Sequence, residues 1–307
     1  MGERPISRIS ESARPRSRWS TYLRLGRVSN LPTVWTNCLA GIILAGAAPD
    51  AILLGCLAAS ISLFYVSGMF LNDAFDHHYD RDLRPERPIP SGAISLGEVY
   101  AVGFGLMAAG EGLLTFAGIW NRGRIDLPVI VAGGVLGALI IYYNYRHKRD
   151  PLSPLVMASC RGMIYLIAGA VIGSTLSPAV LAGASVLMAY LVGLTYVAKQ
   201  ENLREVRNLW PLAFLLVPFA YSARLLTGWD FGALLYVAFL VWVVYAVSFV
   251  TRKTGRNIPR AVVSLIAGIS LLDGVLIATV AGPSVWVLLA LAGFGLTFFF
   301  QRFVPGT

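Results

Sequence analysis

Long apolar runs separated by short polar links dominate the pattern of this chain. A helix that spans a bilayer needs about 20 mostly apolar residues, and ten runs approach or reach that length. They cover residues 31–47, 51–71, 96–119, 127–145, 155–173, 178–198, 210–226, 231–250, 261–281 and 284–302. The run at 210–226 contains prolines, and if it is re-entrant the number of spans becomes nine. The pattern predicts an all-α, polytopic membrane bundle of nine to ten transmembrane helices.

Composition supports the membrane interpretation and excludes a soluble domain. Of 307 residues, 56% are hydrophobic and 13% are charged, whereas a soluble protein has about a quarter of its residues charged. The net charge of +9 could suggest a nucleic-acid partner, but the Lys and Arg residues lie between the apolar runs. We therefore predict the lipid bilayer as partner and no nucleic acid. The cysteines Cys38, Cys56 and Cys160 all lie within apolar runs, so no disulfide framework or Cys-based metal site is expected.

The positions of the basic residues predict the orientation in the membrane. Cytoplasmic loops are enriched in Lys and Arg, and most of the 25 such residues fall in the N-terminal tail and in the links that share its side. Arg122, Arg124 and Arg224 fall on the other side. Both termini are thus expected in the cytoplasm. Residues 1–18, rich in Arg, Ser and Pro, are predicted to be a disordered basic cytoplasmic tail, and residues 19–307 a single integral-membrane domain.

Acidic residues are concentrated where the second apolar run ends. At about 100° per residue, Asp73, Asp76 and Asp80 lie roughly 100°, 40° and 80° from Asn72 around a helix, so all four share one face. Clustered carboxylates repel one another unless a cation compensates them. Mg²⁺ prefers such hard oxygen ligands, and typically combines one or two carboxylates with water and substrate phosphate oxygens. The alternative is a solvated helix end beside the following arginines, but the apolar run ends directly at Leu71.

A proline-rich loop follows the acidic face. Arg84 and Arg87 lie at fixed spacing among Pro85, Pro88 and Pro90, and proline restricts the backbone that presents them. Arginine can bind phosphate oxygens directly. The positive-inside rule is the alternative explanation for these arginines.

A second, smaller acidic edge follows the sixth apolar run. Glu201 and Glu205 share a face if the helix continues past Lys199, although such a pair can also be solvated.

Two polar residues lie inside the membrane runs. Arg161 is predicted either to contact substrate or to pair with Glu111 or Asp273, and Asn37 faces the same choice between function and interhelical hydrogen bonding.

The acidic face and the loop after it resemble the first signature of the UbiA superfamily of intramembrane prenyltransferases. The resemblance implies a helical bundle around a central cavity, which binds a prenyl diphosphate through Mg²⁺ and moves the prenyl group to a small-molecule acceptor, aromatic or otherwise. It also implies that Asn37 matches the family's first-helix asparagine, that Tyr142 and Arg146 match its Tyr-x-x-x-Lys element, and that the glutamate pair occupies the place of its second, mostly aspartate motif. Together with the residues argued above, the predicted site comprises Asp73, Asp76, Asp80 and Arg87 for catalysis; Asn37, Asn72, Arg84, Tyr142, Arg146, Arg161, Lys199, Glu201 and Glu205 for substrate binding; and Asn72, Asp73, Asp76, Asp80, Glu201 and Glu205 for metal.

Two segments narrow the resemblance to one branch of the family, and two rival functions compete with it. The segments 143–148 and 193–201 are more similar to the divergent EboC-type branch, which implies a bacterial inner (plasma) membrane. The distribution of Lys and Arg predicts that the active site lies on the cytoplasmic side. Membrane CDP-alcohol phosphotransferases also place aspartates on helices, but their Asp-Gly-x-x-Ala-Arg signature is absent near Asp73. A non-catalytic prenyl-lipid-binding or transport protein of the same fold stays an alternative, because the second motif departs from the family pattern.

Overall fold

The computed structural model describes residues 18–199, 210–228, 230–252, 257–304 and 306. Within these ranges the chain forms twelve α-helices and no β-strand. The helices are α1 Arg18–Leu25, α2 Leu31–Leu44, α3 Ala51–Phe75, α4 His77–Leu83, α5 Leu96–Arg122, α6 Leu127–Arg146, α7 Ser153–Ile172, α8 Pro178–Lys199, α9 Val217–Ser222, α10 Phe231–Thr251, α11 Ile258–Ala281 and α12 Val285–Phe300. The predicted all-α membrane class is confirmed.

Eight of the ten apolar runs correspond to helical segments long enough to cross a bilayer. Over the described ranges, eight helical segments of 18 residues or more are sufficiently apolar, and two shorter apolar segments cover Val28–Leu44 and Val285–Phe300. The run predicted at 210–226 is helical but interrupted, since α9 lies between the 3-10 segments Trp210–Leu216 and Ala223–Thr227. Pro211 and Pro218 lie within it, and proline lacks the N–H that a continuous α-helix needs.

Helix α11 forms the centre of the bundle. It is buried along nearly its whole length and packs against α2, α8, α10 and α12. On the other side of α2, helix α3 packs against α5, and α6 packs against α7. The outer faces carry exposed Leu234, Val241, Leu288 and Phe299, which is the arrangement expected of helices that face lipid.

Two basic residues at the end of the bundle away from the acidic face, Arg122 and Arg224, have structural partners. Arg122 pairs with Asp126 at 2.7 Å and donates to the Ala170 carbonyl at 2.6 Å, near the end of α7. Arg224 donates to the Thr279 carbonyl at 2.8 Å, near the end of α11. Positive charge is favourable where a helix presents unpaired carbonyls, so these arginines cap helix ends.

Candidate functional site

A cavity of about 700 Å³ opens between the helices at the end of the bundle that carries the acidic face. Residues from α3, α4, α6, α7, α8 and α11 line it, together with Arg27 and Asn30, which precede α2. Its apolar wall comprises Ile61, Phe64, Met69, Leu136, Ile140, Met157, Ile164, Leu191, Leu194, Val262, Ile266 and Ile269. The cavity therefore joins a charged mouth to an apolar interior.

The acidic face keeps its helical phase across a break in the helix. Asp76 is the single residue between α3 and α4, yet its N–H donates to the Asn72 carbonyl at 3.0 Å and its own carbonyl accepts from the Asp80 N–H at 2.9 Å. Asn72, Asp76 and Asp80 consequently line the cavity. Asp73 lies beside them and is 9% exposed.

Arg87 connects two of the carboxylates. Its Nη1 lies 2.8 Å from Asp80 Oδ2 and 3.3 Å from Asp73 Oδ1, and Arg27 approaches Asp73 at 3.6 Å. Burial alone would lower the pKa of Arg87, but Asp73 and Asp80 outweigh burial and raise that pKa above its ordinary value. The guanidinium therefore stays charged at the mouth of the cavity.

The loop that carries Arg87 is folded against the bundle. The Ser91 N–H donates to the Arg87 carbonyl at 3.0 Å, and Gly92 adopts a φ of +74° that favours glycine. Just after the loop, Ile94 is buried with Phe70 of α3 in a small apolar cluster. This packing explains how a loop residue reaches carboxylates on two helices.

Asp76 is paired from the end of α6. Lys148 Nζ lies 2.9 Å and His147 Nε2 lies 3.5 Å from its carboxylate oxygens. Burial tends to raise the pKa of Asp76, but the hydrogen bonds and charge of His147 and Lys148 outweigh it and hold that pKa below its ordinary value. Asp76 is therefore ionised where an incoming substrate would meet it.

The structure does not bring Tyr142 and Arg146 into the cavity, contrary to the expectation from the resemblance. The Tyr142 hydroxyl donates to Asp150 on the exposed surface at 2.9 Å, and Arg146 is exposed. Tyr143 and His147, one position later in each case, line the cavity. The physical reason is helical phase, because a shift of one residue turns a side chain by about 100°.

Asn37 makes interhelical hydrogen bonds, which is one of the two roles predicted for it. It is fully buried and does not line the cavity, whereas Asn30, two helical turns earlier, does. Asn37 Oδ1 accepts from Arg161 at 2.8 Å, and its amide donates to both Asp273 oxygens at 2.9 Å. Of the two partners considered for Arg161, Asp273 and not Glu111 thus joins its network.

The remaining predicted residues divide into two groups. Arg84, Arg161 and Lys199 line the cavity, and Asn72 donates to Asn144 of α6 at 3.1 Å. Glu201 and Glu205 lie outside the described residues. Sequence reasoning missed a further set of cavity-lining polar residues, which are Arg27, Asn30, Tyr65, Tyr143, Asn144, His147 and Lys148.

The oxygen donors at the mouth suit a hard cation in number and type. Across the described ranges, no group of three or more His, Cys, Asp or Glu side chains converges as a ready metal cage. Mg²⁺ does not require one, since it binds through one or two carboxylates plus water and substrate phosphates. Asp76 and Asp80, with Asn72 beside them, supply such a partial set.

An apolar helical bundle whose cavity has carboxylates and cations at its mouth defines an integral-membrane protein with an amphiphilic site. Residues 33–208, more than half of the chain, match the UbiA prenyltransferase family. The chain belongs to this family, and it is accordingly an intramembrane prenyltransferase. The resemblance drawn from the acidic motif and the expected enzyme class are confirmed, while the EboC-type branch stays a prediction.

Similar proteins include archaeal enzymes. Digeranylgeranylglyceryl phosphate synthase of Methanopyrus kandleri is 31% identical over 204 residues, which cover 66% of this chain and 69% of that protein. The enzyme of the same name from Methanoculleus marisnigri is 30% identical over 157 residues, 50% of this chain and 52% of that one. A solved structure from work on the biosynthesis of digeranylgeranylglyceryl phosphate synthase in membranes has a TM-score of 0.57 at 17% identity, and the alignment covers 89% of this chain and 99% of that one. This structure shows a shared fold.

Proposed function

We propose that the cavity mouth binds the diphosphate of a prenyl diphosphate and that the cavity itself holds the prenyl chain and the acceptor. One observation carries the proposal. The carboxylates and the cations of the mouth belong to the same cavity, of about 700 Å³, as a largely apolar wall. A prenyl diphosphate has the matching division between an anionic head and an apolar tail.

Asp76, Asp80 and Asn72 would hold Mg²⁺ at the mouth, with Asp73 next to them. When bound, Mg²⁺ supplies positive charge that stabilises the departing diphosphate. Glu201 and Glu205 are proposed as a second acidic edge for the same purpose.

Protein cations complete the diphosphate site. Arg84, Arg87 and Lys148 line the mouth, and guanidinium groups bind phosphate oxygens in geometrically specific pairs. Arg87 and Lys148 are held in place by Asp80 and Asp76, so these charges are positioned before substrate arrives. Fixed donors aimed at developing negative charge lower the barrier to leaving-group departure.

The apolar part of the cavity protects the reactive group. Leu136, Ile140, Leu191 and Leu194 belong to the walls that surround the prenyl chain in this proposal. Exclusion of water prevents hydrolysis of an electrophilic prenyl group before the acceptor attacks. We place the mouth on the cytoplasmic side, because the basic links lie at that end.

The similar archaeal synthases suggest the first substrates to test. Their name specifies a product with two geranylgeranyl groups and a glyceryl phosphate, so we propose a C20 donor and a phosphate-bearing acceptor for this chain. The test is incubation of purified protein with C10 to C20 prenyl diphosphates, Mg²⁺ and a host lipid and metabolite extract. We expect a new product heavier by one prenyl unit. Donor binding without any product would instead favour a prenyl-lipid carrier.

A further inference from the structure

Arg161 lies in the cavity but away from its mouth. Helix α7 starts at the mouth end, and Arg161 is eight residues after Ser153, or about 12 Å along the axis. Cys160 and Ile164 of the same helix line the cavity around it. A charged side chain at such depth is costly in a membrane, and is by default paired or functional.

The network behind Arg161 holds its guanidinium in place. Nη1 donates to Asn37 at 2.8 Å and Nη2 donates to Thr33 at 3.1 Å. Its Cζ lies 5.4 Å from the centre of the Tyr65 ring. Helices α2 and α3 therefore fix the position of a side chain that belongs to α7.

The countercharge for Arg161 is kept out of the cavity. Asp273 of α11 is 0% exposed and accepts hydrogen bonds from the Thr36 and Tyr165 hydroxyls and from the Asn37 amide. Asn37 lies between the carboxylate and the guanidinium. The Asp273 carboxylate therefore stabilises the charge of Arg161 only through the intervening amide of Asn37. An ion pair with a purely structural role would gain more from direct contact between the carboxylate and the guanidinium.

Arg161 consequently retains hydrogen-bonding capacity toward the cavity. Of its five N–H groups, two have partners among the residues that the structure describes. No carboxylate within the described part of the chain lies in ion-pair range of it, whereas Arg87 and Lys148 at the mouth each have one. The interior therefore presents a cation that has no directly contacting carboxylate among the residues that the structure describes.

We infer that Arg161 recognises the acceptor, and that the acceptor carries an oxyanion, a carboxylate or a phosphate. The inference rests on the proposed function. Positive charge develops on the prenyl group as diphosphate departs, and a guanidinium facing that charge would raise the barrier. An anionic acceptor neutralises Arg161 and is held on the opposite side of the reacting carbon from the diphosphate. Arg161 is thus a specificity-determining residue for the anionic group.

The test separates the interior from the mouth. Purified protein in nonionic detergent is first saturated with Mg²⁺ and a non-hydrolysable geranylgeranyl diphosphate analogue, which occupies the mouth. Binding of hexyl phosphate, hexanoate and neutral hexanol is then measured by titration calorimetry. We expect the two anions to bind and the alcohol not to bind. In Arg161→Gln, affinity for the anions should fall at least about tenfold, as for loss of a charge-assisted hydrogen bond.

Control variants address folding and specificity. Arg161→Lys should restore part of the anion affinity, and exposed Arg149→Gln should change nothing. Because Arg161→Gln leaves Asp273 without its countercharge, the double variant Arg161→Gln with Asp273→Asn is measured too, and the same loss is expected. Affinity for the diphosphate analogue should change less than about threefold in both.

Three results would contradict the inference. Equal anion affinity in parent and Arg161→Gln would overturn this inference but not the proposed function. The same holds if Arg161→Gln loses affinity for the diphosphate analogue and keeps affinity for the anions, because Arg161 would then belong to the donor site. A parent protein that binds no diphosphate analogue with Mg²⁺ would overturn the proposed function and the inference with it.

Discussion

At the scale of single residues, the carboxylates at the mouth are held by protein cations. Arg87 bridges Asp73 and Asp80, and Lys148 pairs with Asp76. The sequence predicts that a cation compensates the repulsion among these acids, and in the structure protein cations supply part of that positive charge. Because each of these carboxylates has a cationic partner, removing one relieves repulsion among the acids but also loses an attractive ion pair.

Asp76 provides the first prediction. Asp76→Asn should weaken binding of geranylgeranyl diphosphate in the presence of Mg²⁺ by at least about tenfold, because the loss of one charged ligand costs more than one neutral hydrogen bond. Asp82→Asn is the matched control, since Asp82 is an exposed carboxylate on α4, the helix that begins directly after Asp76. The measurement is equilibrium binding in detergent. Equal affinities in the two variants would contradict the assignment of Asp76.

Lys148 provides the second prediction and tests the helical phase at the end of α6. Lys148→Gln should weaken donor binding about tenfold, because Lys148 lines the cavity and a charge-assisted contact is lost. Arg146→Gln removes the same charge two residues away on the exposed face and should leave affinity within about twofold. The reverse order of effects would favour the original assignment of Arg146.

At the scale of elements, apolar periodicity predicts helices well and their internal breaks less well. The run predicted at 31–47 corresponds to α2, Leu31–Leu44, and the run at 284–302 to α12, Val285–Phe300. The acidic face was predictable because a helix fixes the angle between residues a few positions apart. The same angle explains why Tyr142 lies outside the cavity while Tyr143 lines it, since a shift of one residue turns the side chain by about 100°.

Close packing of α2 against α7 gives the third prediction. A Cβ atom on Gly41 would lie 2.7 Å from Ala168 Cβ and 3.1 Å from Tyr165 Cα, and the latter is backbone that cannot easily move. Gly41→Ala should destabilise the protein by about 1–3 kcal/mol, as overpacking does. Gly55→Ala, where nothing lies within 4 Å, should be neutral or stabilising by up to about 1 kcal/mol. Thermal unfolding in detergent measures both, and equal midpoints would contradict the packing.

At the scale of the whole molecule, the cavity is assembled from segments far apart in the chain. Asp76, directly after α3, pairs with Lys148, which follows α6. Arg161 of α7 is connected to Asp273 of α11 through hydrogen bonds that both make with Asn37. No local pattern specifies such meetings, so Lys148 and Arg27 could not be predicted, whereas Arg84 and Arg87, which follow the acidic face in the same loop, could. The family resemblance located the site but not the phase of each helix that enters it.

The fourth prediction concerns sidedness. In a variant without native cysteines, Ser91→Cys and Arg149→Cys should be protected from an impermeant thiol reagent in intact cells, because both lie in basic links at the mouth end. Arg124→Cys, in the link at the opposite end, should react. All three positions must react after permeabilisation for the comparison to count. Labelling of Ser91→Cys from outside would place the mouth on the extracytoplasmic side and contradict the predicted orientation.

The most direct test of the account is release of diphosphate from geranylgeranyl diphosphate by the purified protein, measured together with prenylated product. We predict that release requires Mg²⁺, matches product one to one, stops on chelation and falls at least about a hundredfold in Asp76→Asn, as expected when a residue that stabilises the leaving group is removed. Two results would contradict this prediction. One is a donor that binds but releases no diphosphate with any acceptor fraction, and the other is equal diphosphate release by the parent and Asp76→Asn.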